Sequence, residues 1–203
     1  MRTVIVTGGI GSGKSAVCAL LQQRGIPVYN CDARVKELYR RRPSLVARLE
    51  KALDSPLRLP DGSLDKARLA AIIFGSQEAR ETLESIVYPV LLQDFRRWRS
   101  RQQGVPFVVL ESAVILSKPV FDGVADAVVL VDAPQEVRLS RVMARDGASR
   151  EAVLQRMAAQ QIPLEKVQFT IGNGGSPEEL AAAVERVFFH KNDYICKLFT
   201  ELS

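Results

Sequence analysis

The sequence has few of the residues that disulfide frameworks and zinc sites require. Its 203 residues include one histidine and three cysteines. Cys18, Cys31 and Cys196 are odd in number and widely spaced, which indicates neither a disulfide framework nor a zinc site. We therefore expect a reducing compartment, the cytoplasm. His190 lies in no recognisable motif, so we interpret it as an ordinary surface or core residue.

A long hydrophobic run is also missing. Apolar residues make up 47% of the chain and charged residues 25%, the balance of an ordinary globular protein. No apolar stretch approaches the roughly 20 residues that span a bilayer. The first residues lead straight into a predicted strand, without a basic and cleavable leader ahead of it. We therefore expect neither a membrane-spanning segment nor export, and one compact domain with room for inserted subdomains.

Positive charge is concentrated in one part of the chain. The net charge is +5, and residues 33–103 hold fifteen Lys or Arg against nine Asp or Glu. Such an excess is compatible with nucleic-acid binding, but the aromatic residues of this segment are too scattered to form a base-stacking platform. We therefore expect no nucleic-acid partner. A docking surface for a small anionic substrate is the favoured interpretation, and a solvated helix face is the alternative.

The most informative stretch is a glycine-rich segment at residues 8–15. It reads Gly-Gly-Ile-Gly-Ser-Gly-Lys-Ser between a strand-like and a helix-like run, which is the spacing and the context of a phosphate-binding P-loop. Glycines let successive backbone N–H groups surround an oxyanion, and the helix N-terminus behind them adds a favourable dipole. Lys14 can then reach the β- and γ-phosphates of a nucleotide, and the Ser15 hydroxyl can ligate Mg²⁺.

The rest of the chain alternates apolar strands with helices. Apolar runs predict strands at residues 3–7, 26–29, 107–110, 127–131 and 169–171. Helices are predicted at residues 135–146, 149–160 and 177–188, and an all-helical insertion, interrupted at Pro43, is predicted at residues 33–103. This alternation predicts an α/β fold with a parallel sheet covered on both faces. The aromatic segment at 189–203 has two interpretations, packing on the core or on a partner.

Polar residues that follow the predicted strands are candidates for chemistry. Ligands of parallel sheets sit outside the carboxyl ends of the strands, which places the P-loop, Asp32, Glu111 and Asn173 around one crevice. We expect the strand before Asp32 to neighbour the P-loop strand. Asp32 can accept a proton from an acceptor hydroxyl or bind Mg²⁺ through water, and its alternative role is the N-cap of the helix that begins at Ala33. Glu111 has two equal interpretations, a contact to the metal and an ion pair.

Three arginines, Arg138, Arg141 and Arg145, fall at helical spacing and share one face. In nucleotide kinases such a face can close over the phosphates as a lid, which supplies charge and excludes water. The alternative is a solvated basic face with Glu136 and Asp146 as local partners. We favour the lid role for at least one of Arg141 and Arg145.

Taken together, the chain resembles the dephospho-CoA kinases, which transfer the γ-phosphoryl group of ATP to the ribose 3′-hydroxyl of dephospho-CoA in the last step of coenzyme A synthesis. The P-loop alone indicates only a nucleotide kinase or an ATPase. The Met-Ala-Arg-Asp-Gly run that begins at Met143, followed by Arg156 and Gln160, is much more specific. Further similarities lie at Pro27, Val28, Tyr29, Phe74, Leu83, Ile86 and Pro89, at residues 108–112 and at residues 173–175.

The resemblance implies a three-layer P-loop kinase fold with three parts. The nucleotide-binding core would comprise residues 1–32, 104–137 and 166–203. The helical insertion at 33–103 would bind the CoA part of the acceptor, with its basic surface facing the pyrophosphate, and residues 138–165 would form a small helical lid.

The motif and the resemblance together assign roles to individual residues. Catalytic roles are expected for Lys14, Asp32, Arg141 and Arg145. ATP contacts are expected from Gly9, Ile10, Gly11, Ser12, Gly13, Lys14, Ser15, Ala16 and Asn173. Acceptor contacts are expected from Asp32, Tyr88 and Glu111, and Mg²⁺ ligation from Ser15 and Glu111. ATP and Mg²⁺ are the expected cofactors, and dephospho-CoA is the expected partner.

Four positions depart from the family pattern. The family often has a second Asp where Asn30 stands, a His where Tyr88 stands, an Arg near Gln161 and an Asp where Gln168 stands. None of these residues belongs to the P-loop, so we expect ATP binding to be retained.

Two alternatives remain open at this point. One is a nucleoside or nucleotide kinase that shares the core, and the other is a nucleotide-binding module without turnover. The intact Lys14, Ser15 and Asp32 argue against the second. A GTPase is disfavoured because the sequence lacks an Asn-Lys-x-Asp segment that would read guanine.

Overall fold

The computed structural model describes residues 1–190 and Ile195, in which strands and helices alternate as predicted. The strands are β1 (Arg2–Thr7), β2 (Val28–Asn30), β3 (Phe107–Glu111), β4 (Ala127–Asp132) and β5 (Phe169–Gly172). The α-helices are α1 (Lys14–Gln23), α2 (Cys31–Arg41), α3 (Pro43–Ala52), α4 (Lys66–Gly75), α5 (Gln77–Arg99), α6 (Gln135–Asp146), α7 (Arg150–Ala158) and α8 (Pro177–Phe189). Most of the aromatic segment at 189–203, including Cys196, lies outside the described residues.

The strands form one sheet in the order β2-β3-β1-β4-β5. β1 is central and pairs in parallel with β3 and β4, with Val6 opposite Glu111 and Thr7 opposite Leu130. β5 pairs in parallel with β4 at the edge. This topology confirms the predicted α/β fold and brings the carboxyl ends of the strands to one edge of the sheet.

The predicted neighbour of the P-loop strand was wrong. The strand that precedes Asp32, β2, pairs with β3 through a hydrogen bond from the Val109 N–H to the Pro27 carbonyl at 2.9 Å, and β3 separates it from β1. The reason is burial: all five residues of β3 are buried, which suits an interior strand, whereas two of the three β2 residues are partly exposed. A short, half-exposed strand is accommodated at an edge.

One face of the sheet is covered by α1 and α8. Val4 and Val6 of β1 pack in one buried cluster with Val17 of α1 and Phe188 of α8, and Ile195 belongs to the same cluster. Because side chains alternate along a strand, these positions define a single face. The cluster fixes the start of α1 directly behind the P-loop.

The opposite face is covered by the connection between β3 and β4. Residues 112–122 form two 3₁₀ turns there, Ile115–Ser117 and Pro119–Phe121. Together with Ile5 and Val128, these turns line a cavity of about 260 Å³. The sheet is therefore covered on both faces, as predicted.

Local sequence signals explain where several helices begin. Ser176 and Glu179 form a reciprocal capping box at α8, with Pro177 in its first turn. The helix predicted at 149–160 is α7, and Ser149 lies just outside it as the N-cap, accepting a hydrogen bond from the Ala152 N–H at 3.3 Å. These caps satisfy backbone N–H groups that a helix leaves without an internal partner.

The chain divides into two compact units, Met1–Tyr29 with Gln102–Ser203, and Asn30–Arg101. The second unit contains α2 to α5, and Pro43 separates α2 from α3 as predicted. Its core is a buried cluster of Val46, Leu49, Leu57, Leu69 and Val87. In the described part of the chain, no helix combines the length and the hydrophobicity that crossing a membrane would require.

Candidate active site

The P-loop connects β1 to α1 and leaves no room for side chains at two of its glycines. Gly13 adopts φ +92°, a left-handed conformation that glycine accommodates without strain. A Cβ atom at Gly13 would collide with the side-chain amide of Asn173, and one at Gly8 would collide with the Val131 carbonyl. The Ser12 hydroxyl is buried and has no hydrogen-bond partner among the described residues. Close backbone packing and an orphaned polar group both fit a loop that receives an anion.

Lys14, in the first turn of α1, folds back over the P-loop. Its Nζ donates to the carbonyls of Gly8 at 2.9 Å and Gly9 at 3.3 Å. The first turn of α1 carries no acidic side chain of its own and has no side-chain cap at its N-terminus, the positive end of the helix dipole. The ammonium group and the helix N-terminus therefore both favour negative charge at the loop.

Ser15 and Glu111 are brought together at the ends of α1 and β3. Ser15 Oγ donates to Glu111 Oε1 at 3.3 Å, and Glu111 is 7% exposed. One turn further along α1, burial and a hydrogen bond to the Glu111 carboxylate raise the pKa of the Cys18 thiol, which stays protonated at neutral pH. A hydroxyl and a carboxylate at this spacing offer hard oxygen ligands to a cation.

Asn173, just after β5, connects the P-loop to β4 and α6. Its Nδ2 donates to the Ser12 carbonyl at 2.8 Å, and its backbone N–H donates to the Asp132 carbonyl at 2.7 Å. Its own carbonyl accepts from Arg141 Nη1 at 2.9 Å. The position of Asn173 therefore determines the path of the loop at Ser12 and Gly13.

Two of the three arginines on the α6 face, Arg138 and Arg141, contact the phosphate-binding region. Arg138 Nε donates to the Ile10 carbonyl at 3.0 Å, and its guanidinium group lies against Gly9. Arg141 bonds to Asn173. The side chain of Arg145 is 61% exposed and instead makes a bidentate pair with its neighbour in sequence, Asp146.

Asp146 also bonds to a second arginine, Arg156. Arg156 Nη1 of α7 donates to Asp146 Oδ2 at 2.9 Å, and the two guanidinium groups hold the pKa of Asp146 well below its usual range. Asp146 therefore stays ionised at neutral pH and orients both arginines. In this arrangement Arg145 does not contact the P-loop, and its lid role stays a prediction.

Two contacts to the P-loop come from Arg138 and Gln160, which were not among the residues expected to bind ATP. Gln160 Oε1 accepts from the Ile10 N–H at 2.6 Å. Arg138 was on the predicted arginine face, so helical spacing alone could have found it. Gln160 was visible only as a point of family resemblance, since nothing in its local sequence indicates a contact 150 positions away.

Asp32 and Tyr88 lie in the helical unit. Asp32 is exposed in the first turn of α2, and the N-cap of that helix is Asn30, whose Oδ1 accepts from the Ala33 N–H at 2.7 Å. The alternative role of Asp32 as the cap is therefore wrong, because the helix begins two residues earlier than the sequence predicted. Burial and the negative charges of Glu84 and Asp32 raise the pKa of the Tyr88 hydroxyl. Asp32 is thus near enough to Tyr88 for its charge to act on that hydroxyl.

Comparison with known proteins identifies the family. A family model described as dephospho-CoA kinase matches residues 2–175. A dephospho-CoA kinase of Porphyromonas gingivalis is 42% identical over 79% of this chain and 78% of its own length. A dephospho-CoA kinase of Geobacter sulfurreducens is 37% identical over 93% of this chain and 98% of its own.

A solved structure agrees with these sequence matches. The crystal structure of a Thermus thermophilus protein superimposes with a TM-score of 0.77 at 35% identity, and the alignment covers 91% of this chain and 94% of that one. The residues matched by the family model include the P-loop and the strands β1 to β5. The chain therefore belongs to the dephospho-CoA kinase family.

Proposed function

We propose that this chain transfers the γ-phosphoryl group of ATP to the ribose 3′-hydroxyl of dephospho-CoA, which yields coenzyme A. The observation that carries the proposal is the P-loop with its lysine, serine and buried carboxylate, in a chain of this family. We also propose a cytoplasmic location, in line with the few and widely spaced cysteines of the sequence.

In this proposal each group of residues has its own role in phosphoryl transfer. Lys14 and the N-terminus of α1 bind the phosphates and stabilise the charge that spreads over the transferred group. Asp32 accepts the proton of the acceptor hydroxyl. Arg141 adds positive charge beside Asn173, and residues 138–165 exclude water as a lid. Residues 1–32, 104–137 and 166–203 form the nucleotide-binding core.

Mg²⁺ fits the oxygen pair formed by Ser15 and Glu111. Mg²⁺ requires hard oxygen ligands and is usually bound by one or two protein groups together with phosphate oxygens and water. When bound, it neutralises charge on the β- and γ-phosphates. Ser15 would ligate it through the hydroxyl, and Glu111 would act directly or through a bound water.

The Glu111→Gln variant tests this cation site. We expect its apparent affinity for Mg²⁺ to fall about 10- to 100-fold, because the amide is neutral and a weaker ligand. Initial rates measured against free Mg²⁺ at fixed ATP give this affinity, and high Mg²⁺ should restore most of kcat. Glu165→Gln, at an exposed position, is the matched control. An unchanged Mg²⁺ dependence in Glu111→Gln would remove the residue from the site.

The helical unit is proposed to bind the acceptor, and a cavity of about 1050 Å³ in this unit supports the proposal. Its acidic lining residues are engaged within the protein, Glu37 with two arginines, Asp61 with Ser63, and Asp65 as the cap of α4. Lys36, Arg40 and Lys66 also line it, and none of these cations has a partner among the described residues. These three cations lie beside apolar lining residues such as Val46 and Leu64. This combination suits a pyrophosphate with an organic arm better than a nucleic acid.

The Arg40→Ala variant tests the cavity. We expect KM for dephospho-CoA to rise about tenfold, because the variant loses one charge-assisted hydrogen bond to the acceptor. KM for ATP should stay unchanged. Steady-state kinetics with each substrate varied in turn measure both constants. Arg48→Ala, an exposed arginine of α3 that does not line the cavity, serves as the control. Equal constants in Arg40→Ala and the wild type would place the acceptor elsewhere.

The proposed function itself is tested with the purified wild-type chain. The protein is mixed with Mg-ATP and either dephospho-CoA or a panel of nucleosides and nucleoside monophosphates, and ADP and product mass are followed. We expect coenzyme A from dephospho-CoA and no product from the panel. Turnover of a panel member alone would indicate a nucleoside or nucleotide kinase, and ATP binding without turnover would indicate a non-catalytic module.

A further inference from the structure

Ile10, near the tip of the P-loop, is held on three sides by the chain around α6 and α7. Its backbone N–H donates to Gln160 Oε1 at 2.6 Å, and its carbonyl accepts from Arg138 Nε at 3.0 Å. Its side chain packs against a buried cluster that joins α6 to α7. That cluster consists of Leu139, Val142 and Val153.

The two hydrogen bonds fix the orientation of the peptide groups on both sides of Ile10. A glycine-rich loop has many accessible backbone conformations, and a ligand that must order it loses affinity. Gln160 is half-buried, so its bond to Ile10 is partly shielded from competing water. These contacts therefore restrict the conformations that the loop backbone can adopt.

We propose that Gln160 is a positioning residue for the P-loop, whose side-chain carbonyl holds the Ile10 N–H and keeps the loop in the conformation that receives the phosphates of a nucleotide. Gln160 acts on the loop through Ile10. Arg138 completes the arrangement from the carbonyl side. This inference rests on the nucleotide binding contained in the proposed function.

The Gln160→Met variant removes the acceptor and keeps the length of the side chain. We expect the Ile10 amide to exchange with solvent about tenfold faster, and Kd for an ATP analogue to rise about five- to tenfold, the factor that one lost hydrogen bond produces. We expect kcat at saturating ATP to change less than twofold, since the lost interaction stabilises the bound substrate and the transition state about equally. Amide exchange is followed by NMR, and Kd by calorimetry without acceptor.

The Gln160→Glu variant retains an acceptor oxygen and adds charge. We expect it to keep slow exchange at Ile10, and to bind the analogue weakly at low salt and more tightly as salt screens the new charge from the phosphates. The loss in Gln160→Met should not depend on salt in this way. Gln155→Met, the same substitution at an exposed position of α7, should leave exchange and Kd at wild-type values.

Unchanged exchange at Ile10 and unchanged Kd in Gln160→Met would overturn the positioning role, and so would an equal loss in Gln155→Met. The wild type is titrated alongside the variants. If the wild type does not bind the ATP analogue, the proposed function is contradicted. If the wild type and Gln160→Met bind the analogue with the same Kd, only the role of Gln160 is contradicted.

Discussion

The Lys14→Ala variant is expected to lose kcat by about 10²- to 10³-fold, the effect of removing one donor that stabilises transition-state charge. Lys14 Nζ lies over the P-loop carbonyls of Gly8 and Gly9 and reaches the region where the phosphates would bind. Alanine is the best helix former, so the first turn of α1 should remain intact. Single-turnover rates with saturating Mg-ATP and dephospho-CoA measure the loss, and thermal unfolding verifies the fold.

A matched substitution separates this effect from a general loss of charge. Lys51 is an exposed lysine of α3, and Lys51→Ala should keep wild-type turnover. If Lys14→Ala turned over as fast as Lys51→Ala, the P-loop would not perform the chemistry proposed for it.

The Asp32→Asn variant is expected to lower kcat by about 10²- to 10⁴-fold, the range for removal of a general base, with a much smaller change in KM for ATP. The amide preserves the shape of the side chain but cannot take the proton of the acceptor hydroxyl. Because Asp32 is exposed and is not the cap of α2, stability should fall only by the charge–dipole contribution of about 0.3–1 kcal/mol. Steady-state kinetics and thermal unfolding give the two quantities.

Asn30→Ala provides the opposite control. It removes the side-chain acceptor of the Ala33 N–H and should cost about 1 kcal/mol of stability without a comparable loss of kcat. The Asn at this position is a departure from the family pattern, and its capping role supplies a physical reason, since Asn and Asp cap helices equally well. An Asp32→Asn protein with normal kcat and reduced stability would indicate that Asp32 has a structural role and not a catalytic one.

Much of the core could be predicted from the sequence. The P-loop, the parallel sheet and the position of Glu111 at a strand end all follow from spacing and periodicity within about ten residues. The helical secondary structure within residues 33–103 was predicted correctly from the absence of strand patterns, and Pro43 separates two of these helices because proline cannot continue a helix interior.

One error arose where contacts between distant residues decided the outcome. β2 was expected beside β1, but β3, which follows the helical unit in sequence, occupies that position. The three arginines of one helix face look equivalent in sequence, and only the structure distinguishes their contacts. Arg145 pairs with Asp146, whereas Arg138 donates a hydrogen bond to the Ile10 carbonyl.

The sequence by itself determined the phosphate-binding motif, the fold class and the family, because these depend on residue types at short, regular spacings. Only the tertiary structure decided the strand order and the residues that hold the P-loop. The contacts of Ile10 with Arg138 and Gln160 join residues 128 and 150 positions apart. Such contacts form only when packing of the sheet and its helices brings those residues together, and no local pattern encodes them.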